Sequence, residues 1–340
     1  STVHVHRFGI FNRKLSNAEL AAHSKHSRQF TVCTAGQSNS DIYMRGFDDV
    51  TPVYDDGRKG GGRIFMEQLM KGYVGDILMI RSTDTGNANG GGSVLKAYEP
   101  DNGLGGYYWD EDTNTPGTHY DDIRSNLIKN GVLGRVDWFI WDEFQHEIIS
   151  TDPLITLAEI GTTYKDALEN VFLYLRDLGG ANCKIAVQLP SRRGVQTGAR
   201  LDAFRQAYQT IIDKYSWVYA AAHPFIFNTN ENSPSHFEEV DYIRQGEWVC
   251  RFMLKTDGII DLGNAQSPVI ASATYSGSTI TVNCTTENSA ELSAPTIDDN
   301  PWYVTADGVE QTVSSWSVSG STITLNMGAA LSGDVQLIYP

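Results

Sequence analysis

Short, nearly uninterrupted apolar runs alternate with amphipathic stretches from about residue 30 to residue 262. Apolar runs of about four to eight residues are typical of parallel strands that helices cover on both faces. The predicted strands are Phe30–Ala35, Asp76–Arg81, Val136–Trp141, Lys184–Leu189 and Trp217–Ala221. The predicted helices are Arg63–Lys71, Tyr120–Asn130, Thr156–Leu178, Ala199–Tyr215 and Phe237–Leu254. This alternation predicts a doubly wound α/β domain.

Two stretches depart from this pattern. The segment from Glu99 to Thr118 is acidic, glycine-rich and aromatic, and it is predicted to form a long loop beside the functional face. From Ser267 onward helical periodicity disappears and Thr, Ser and Val dominate. The hexapeptide Ser-Gly-Ser-Thr-Ile-Thr begins at Ser276 and again at Ser319, and each copy is a hairpin signal. These residues are predicted to form a small all-β module, an immunoglobulin-like or fibronectin-like sandwich.

Composition narrows the possible partners. The chain has 340 residues, 41% hydrophobic and 11% aromatic, which indicates a folded protein. A formal charge of −15 argues against nucleic acid or an anionic membrane as partner, and it mildly disfavours a strongly acidic polymer as substrate. No apolar run of about 18 residues and no signal peptide is visible, so no membrane insertion is expected. Because Ser1 is not a methionine, we expect the sequence to begin within a longer protein.

Metal binding and disulfide bonding are not expected. His4 and His6 alternate on one predicted strand, and His23 and His26 lie on a short predicted helix. No cysteine or carboxylate accompanies these histidines at ligand spacing, which favours ordinary surface histidines over a metal site. The four cysteines lack CxxC spacing and lie mostly in apolar surroundings, where buried thiols are common.

The first candidate for chemistry follows the first predicted strand of the α/β domain. Gly36 ends this strand, and Gln37, Ser38 and Asn39 form the tip of the turn. Open α/β sheets place their chemistry at the carboxyl ends of central strands, and a hydroxyl held there can act as a nucleophile. Taken alone, Gly-Gln-Ser-Asn is equally consistent with an ordinary polar turn.

Three further blocks follow in order. Asn89–Leu95 contains a glycine run after the second strand, where backbone N–H groups can approach a developing oxyanion. Asp137–Glu147 is a strand that runs into a polar tip, and Ser233-Pro-Ser-His236 precedes the last predicted helix of the domain. Separately these blocks are consistent with a glycine loop, a solvated strand end and an N-cap or surface histidine.

Together, over about residues 30–260, the four blocks resemble the SGNH hydrolases of the sialate O-acetylesterase and carbohydrate esterase family 6 type. That branch carries Gly-Gln-Ser-Asn, then Gly-Gly-Thr or Gly-Gly-Ser, then Trp-x-Gln-Gly-Glu, and finally Asp-x-x-His. The resemblance implies a flavodoxin-like three-layer α/β/α domain. It also implies acyl transfer by Ser38 as the nucleophile and His236 as the general base, with no metal or organic cofactor. The Ser38 N–H and Gly92, with Gly91 as the near alternative, would form the oxyanion hole.

The chain departs from the family pattern in two blocks. The third block reads Gln145-His146-Glu147 and has two extra residues after the tryptophan, so the oxyanion side chain is either Gln145 or, in the other register, Glu143. Gln145 is favoured because an amide donates a hydrogen bond and an ionised carboxylate does not. In the fourth block Ser233 stands where the family has aspartate. We therefore expect a dyad in which Ser233, a backbone carbonyl or Glu231 orients the histidine.

The flanking residues suggest a biological setting. Residues 1–29 contain a run that resembles the closing strand and helix of laminin-G-like lectin jelly rolls. The predicted domains are therefore a lectin-like end or linker at 1–29, an esterase at 30–264 and a β-sandwich module at 267–340. With no secretion signal, this combination resembles bacteriophage tail spikes. That resemblance implies location in the virion tail, an O-acetylated host polysaccharide as substrate, and a homotrimer.

Two other functions fit the same sequence. One is a different esterase on this scaffold, acting on acetylated xylan or a lipid, and the other is a catalytically inactive glycan-binding module of a tail fibre. The aromatic residues Tyr107, Tyr108 and Trp109 favour a sugar polymer over an acyl chain, because aromatic faces stack on sugar rings.

Overall fold

A computed structural model describes thirteen stretches of the chain. They are residues 2–5, 29–36, 76–81, 93–99, 106–142, 147, 155–190, 198–222, 229–230, 233–237, 239–259, 268–292 and 302–338. The predicted helix Arg63–Lys71 and the predicted domain boundary near residue 265 lie outside these residues.

The centre of the molecule is a six-stranded sheet. Its strands are β1 (Thr2–Val5), β2 (Phe30–Gly36), β3 (Ile77–Arg81), β7 (Trp138–Asp142), β8 (Lys184–Gln188) and β9 (Val218–Ala222), in the spatial order β1-β3-β2-β7-β8-β9. The last five strands in chain order run parallel, and β1 pairs antiparallel with β3 at one edge. The first, second and third parallel strands therefore lie in the order second-first-third, as in flavodoxin-like sheets. The direction of winding reverses between β2 and β7.

Both faces of this sheet are buried, which explains the continuous apolar runs. On one face Cys33 and Ala35 of β2 join a core with the helices α1 (Thr118–Lys129), α2 (Lys165–Gly179) and α3 (Gly198–Lys214). On the other face Phe30 and Val32 pack with α4 (Glu239–Thr256). Alternate residues of one strand thus belong to different cores, and the domain has three layers.

A small three-stranded sheet lies beside the central sheet. It consists of β4 (Ser93–Leu95), β5 (Tyr107–Asp110) and β6 (Thr115–Pro116), with a 3₁₀ turn at Lys96–Tyr98. β4 and β5 pair in parallel, and β5 and β6 form an antiparallel pair. The prediction of a long loop from Glu99 to Thr118 was therefore wrong for the strands β5 and β6. A further hairpin, β10 (Thr229–Asn230) with β11 (Ser233–Phe237), precedes α4.

The carboxyl-terminal residues form a β-sandwich. One sheet has the order β12-β13-β17-β16 and the other β15-β14-β18. These strands are Val269–Ser276, Thr279–Thr285, Tyr303–Ala306, Val309–Gln311, Val313–Ser319, Thr322–Met327 and Val335–Ile338, for β12 to β18 in chain order. One core contains buried residues of both sheets, such as Val282 and Val304. A 3₁₀ turn, Glu287–Ser289, follows β13.

Both predicted hairpin turns are confirmed. Ser276 pairs with Thr279, and Ser319 pairs with Thr322, so each loop has two residues. The glycines that open these loops, Gly277 and Gly320, have φ of +57° and +60°. A positive φ at the first loop residue is what a type II′ turn requires, and glycine adopts it without steric cost.

Among the described residues, the sandwich contacts the α/β domain at the starts of α3 and β14 and at the end of α4. A Cβ atom on Gly198, at the start of α3, would come within 2.2 Å of the Tyr303 ring, so the tyrosine side chain packs directly against the main chain of the helix. Lys255 of α4 makes an ion pair with Glu287.

Other predicted boundaries shift in detail. The predicted helix Thr156–Leu178 is one helical turn at Leu157–Glu159, a π-helical turn at Ile160–Tyr164, and then α2. No helix among the described residues is long and apolar enough to cross a membrane.

Candidate active site

The end of β2 lies at the switch point of the sheet. Gly36 is the last residue of this strand and pairs with Asp142, the last residue of β7. Its φ is +129°, and a Cβ atom on it would lie 2.2 Å from the Asp142 carbonyl oxygen. Only glycine allows the two strands to approach this closely. Ligands of open α/β sheets bind outside the carboxyl ends of the strands at such a point, and Ser38 follows two residues later.

A buried tyrosine holds the main chain of Gly36. The Tyr108 hydroxyl accepts a hydrogen bond from the Gly36 N–H at 2.6 Å and donates one to the Gly36 carbonyl oxygen at 3.1 Å. Its ring packs edge-on against Trp141, with ring centroids 4.8 Å apart. It also packs against the tilted ring of His119, with centroids 4.7 Å apart. Burial lowers the pKa of His119 to about 4, so this imidazole is neutral at pH 7. The last residue of β2 is therefore held by contacts that involve both the small sheet and the core.

The carboxyl ends of β7 and β8 are polar as well as buried. Asp142 and Gln188, which end these strands, are both 0% exposed although the residues before them are apolar. Burying such groups is costly unless they are hydrogen-bonded. Buried polar side chains at this edge are what a polar site requires.

Glu147 connects the third block of the sequence to the second. It lies five residues beyond the end of β7, and its Oε1 atom accepts hydrogen bonds from the N–H groups of Val94 at 2.6 Å and Leu95 at 3.0 Å. These two residues follow directly after Ser93, which ends the glycine run. A guanidinium N–H of Arg200, in the first turn of α3, donates to the Glu147 carbonyl oxygen. The glutamate is thus held through both its side chain and its main chain.

Burial dominates the electrostatics of Glu147. Its side chain is fully buried, and desolvation raises its pKa from 4.5 to about 7, against the opposing effect of the main-chain N–H groups of Leu95, Val94 and Glu147 itself. The folded protein therefore retains a proton that the unfolded chain releases between these two pH values. The stability that this proton contributes is fully present below about pH 4.5, and it is lost as the pH rises through about 7.

The structure describes only part of the predicted constellation. Ser38, Gly91, Gly92, Gln145 and Glu231, together with the alternative Glu143, lie outside the described residues. What it brings together is the end of β2, the end of β7 and the segment after the glycine run.

The backbone of the fourth block is described. Ser233 and His236 lie on β11, where Ser233 pairs with Asn230 of β10. The block precedes the last helix of the domain as predicted, but the helix begins two residues later than predicted, because Phe237 is still part of β11 and α4 begins at Glu239.

The proposed role of the aromatic stretch in stacking on sugars needs correction. Tyr108 and Trp109 are each 4% exposed, and the Trp109 ring packs against Tyr174 at 5.6 Å between centroids. These two rings belong to the core and have no free face for a sugar ring. Tyr107 is half-buried, and the Lys96 ammonium lies 5.9 Å from the centroid of its ring.

No protein-family model and no curated protein sequence matches the chain. Solved structures do resemble it. A carbohydrate acetylesterase from Xanthomonas citri matches with a TM-score of 0.55 and 13% identity, over 90% of this chain and 74% of that chain. A GDSL-like lipase from Parabacteroides merdae matches with a TM-score of 0.40 and 11% identity, over 69% of this chain and 98% of that chain; at this score the likeness carries no weight. The first likeness agrees with the strand order: the chain has a flavodoxin-like three-layer α/β/α fold, which it shares with that acetylesterase, with additional β-sheets.

Proposed function

We propose that the protein is a serine esterase that removes O-acetyl groups from a carbohydrate. The observation that carries this proposal is the position of the Gly36-Gln37-Ser38-Asn39 block, which begins at the carboxyl end of β2 beside the switch point of the sheet. The likeness to a carbohydrate acetylesterase supports the same conclusion at the level of the fold.

The proposed chemistry is acyl transfer in two steps. His236 takes the proton of the Ser38 hydroxyl, and the oxygen attacks the acetyl carbonyl carbon to form a tetrahedral oxyanion. The N–H groups of Ser38 and Gly92 and the side-chain amide of Gln145 stabilise this oxyanion. Its collapse gives an acetyl-serine and a carbohydrate hydroxyl, which receives the proton from His236. Water, deprotonated by the same imidazole, then attacks the acetyl-serine. The second tetrahedral intermediate collapses to acetate, and the Ser38 oxygen takes its proton back from His236.

The substrate we propose is an O-acetylated polysaccharide of a bacterial surface, and the setting is a trimeric tail spike in a virion. The lectin-like run in residues 1–29 and the β-sandwich that follows α4 support a modular glycan-acting protein. Because the formal charge is −15, a neutral polysaccharide suits this surface better than an acidic one.

Acetate release tests the proposal. The full chain is incubated with a panel of neutral and acidic O-acetylated bacterial polysaccharides, in parallel with Ser38→Ala and with the matched control Ser40→Ala. We expect release from at least one neutral polymer, retention of that activity in Ser40→Ala and its loss in Ser38→Ala. Binding of the polymers without acetate release, by the wild-type protein, would instead identify a glycan-binding module.

A further inference from the structure

We propose that Glu147 is a positioning residue of this esterase: its carboxylate fixes the segment after the glycine run relative to the segment that carries Gln145. This inference rests on the proposed function, because it concerns the two segments that supply the oxyanion donors.

The carboxyl group of Glu147 connects parts of the chain that are far apart in sequence. One carboxylate oxygen of Glu147 accepts both the Val94 N–H and the Leu95 N–H, at 2.6 and 3.0 Å. These contacts join residues 52 and 53 positions apart in the chain, whereas the Arg200 guanidinium holds the glutamate main chain from α3. Three separate parts of the fold therefore meet at one residue, two of them through its main chain or its own segment and one through its carboxyl group.

The two residues proposed as oxyanion donors lie close in sequence to the two ends of this contact. Gly92 precedes Val94 by two residues, and Gln145 precedes Glu147 by two residues. Two residues of extended chain span at most about 7 Å, so both proposed oxyanion donors are tethered closely to the two ends of this contact. A displacement of about 1 Å at a catalytic group can lower a rate by about a hundredfold. The contact is thus placed where a small shift would affect both donors.

A second carboxylate nearby makes similar hydrogen bonds but only local ones. Glu111 also accepts two main-chain N–H groups, those of Lys96 at 2.9 Å and Ala97 at 2.8 Å. Its partners are 15 and 14 residues away, all within the small sheet and its turn. Glu111 therefore anchors the same segment locally and makes no hydrogen bond to the third block among the described residues, although its negative charge contributes to the raised pKa of Glu147. It provides a matched control.

The two hydrogen bonds to Glu147 require an acceptor oxygen but not a negative charge. The pKa near 7 means that the carboxyl group is about half protonated at neutral pH, and its Oε2 atom has no hydrogen-bond partner among the described residues. A glutamine supplies the same acceptor oxygen and a neutral amino group in place of Oε2. Glu147→Gln should therefore preserve the contact, whereas Glu147→Ala leaves two N–H groups without it.

The experiment combines kinetics with hydrogen exchange on the full chain. The variants are Glu147→Ala, Glu147→Gln and the control Glu111→Ala, assayed with p-nitrophenyl acetate. We expect Glu147→Ala to lower kcat about a hundredfold, comparable with loss of one oxyanion donor, and to change KM only slightly. Glu147→Gln should lose no more than a few-fold, and Glu111→Ala should resemble the wild type.

Hydrogen exchange reports the contact independently of activity. In Glu147→Ala the amides of Val94 and Leu95 should lose protection while those of Lys96 and Ala97 keep it, and Glu111→Ala should show the reverse. Unchanged protection at Val94 and Leu95 would overturn the contact, and an unchanged kcat with lost protection would overturn the positioning role.

Two other results also decide the question. If Glu147→Ala does not fold, a hundredfold loss of kcat in folded Glu147→Gln still contradicts an acceptor-only role. If the wild-type protein hydrolyses no ester, the proposed function fails, and with it the catalytic part of this inference. The exchange data then still decide whether the glutamate holds the two N–H groups.

Discussion

Replacing Gly36 by alanine perturbs the switch point with a single methyl group. The residue has φ of +129°, a conformation that L-residues with a Cβ atom rarely adopt. The new methyl carbon would lie 2.2 Å from the carbonyl oxygen, 2.6 Å from the carbonyl carbon and 3.0 Å from the nitrogen of Asp142. All three are main-chain atoms of the neighbouring strand, so no side-chain rotation relieves the contact.

The loss of stability expected for Gly36→Ala has two contributions. Holding a non-glycine residue in a sparsely populated backbone conformation costs roughly 1–3 kcal/mol. Forcing β2 and β7 apart to admit the methyl group costs roughly another 1–3 kcal/mol, by analogy with overpacked cores. A total of about 2–6 kcal/mol is a large share of the 5–15 kcal/mol by which proteins are typically stable. The melting temperature should fall by on the order of 10 °C.

Thermal unfolding and ester hydrolysis are the two measurements. Gly161→Ala is the matched control, because Gly161 is exposed, has no positive φ, and a Cβ atom there meets no atom within 4 Å. We expect this control to melt at or slightly above the wild-type temperature. Gly36→Ala should melt well below it and lose activity even at temperatures where it stays folded, because Ser38 is two residues away. Equal melting temperatures for Gly36→Ala and the wild type would refute the close approach of β2 and β7.

Three further predictions concern single residues. In steady-state kinetics with p-nitrophenyl acetate, His236→Ala should lower kcat by several orders of magnitude and Ser233→Ala by far less. Equal losses in the two variants would make Ser233 a full member of a catalytic triad. Tyr108→Phe removes both hydrogen bonds to Gly36 and should lower the free energy of unfolding by about 1–3 kcal/mol in urea titrations, because the buried Gly36 N–H loses its acceptor. An unchanged free energy of unfolding would contradict the role of Tyr108 in holding the end of β2. Between pH 5 and pH 8 the wild type should lose roughly 2–3 kcal/mol of stability relative to Glu147→Gln, because only the wild type loses the proton of Glu147 in this range. The lowered pKa of His119 acts in the opposite direction but is common to both proteins. If the difference in unfolding free energy between the two proteins stayed the same from pH 5 to pH 8, the raised pKa of Glu147 would be contradicted.

The central domain could be predicted from the sequence because its strands are buried on both faces. The five predicted parallel strands all exist, and their ends differ from the prediction by at most two residues. The hairpin turns were also predictable, since Ser-Gly followed by alternating residues encodes a two-residue turn locally. Both signals depend on neighbours in the sequence.

Contacts between distant residues could not be predicted in this way. Tyr108 binds Gly36 across 72 residues, and an aromatic side chain in an acidic, glycine-rich stretch gives no local sign of a buried partner. The same stretch was predicted as a loop because its strands have only four and two residues, too short for a clear alternation. Glu147 did carry a signal, since the Gln-x-Glu pattern marks it, but only the structure identifies the N–H groups that it binds.

Covalent labelling of the nucleophile shows whether Ser38 is the reactive serine. The wild-type chain is treated with a fluorophosphonate, which forms a covalent adduct with activated serine hydroxyls, and the modified residue is located by peptide mass spectrometry. We predict one adduct, on Ser38, with loss of ester hydrolysis in proportion to labelling and no adduct in His236→Ala. Persistent hydrolysis with Ser38 unmodified, or an adduct on another serine that abolishes activity, would contradict this prediction.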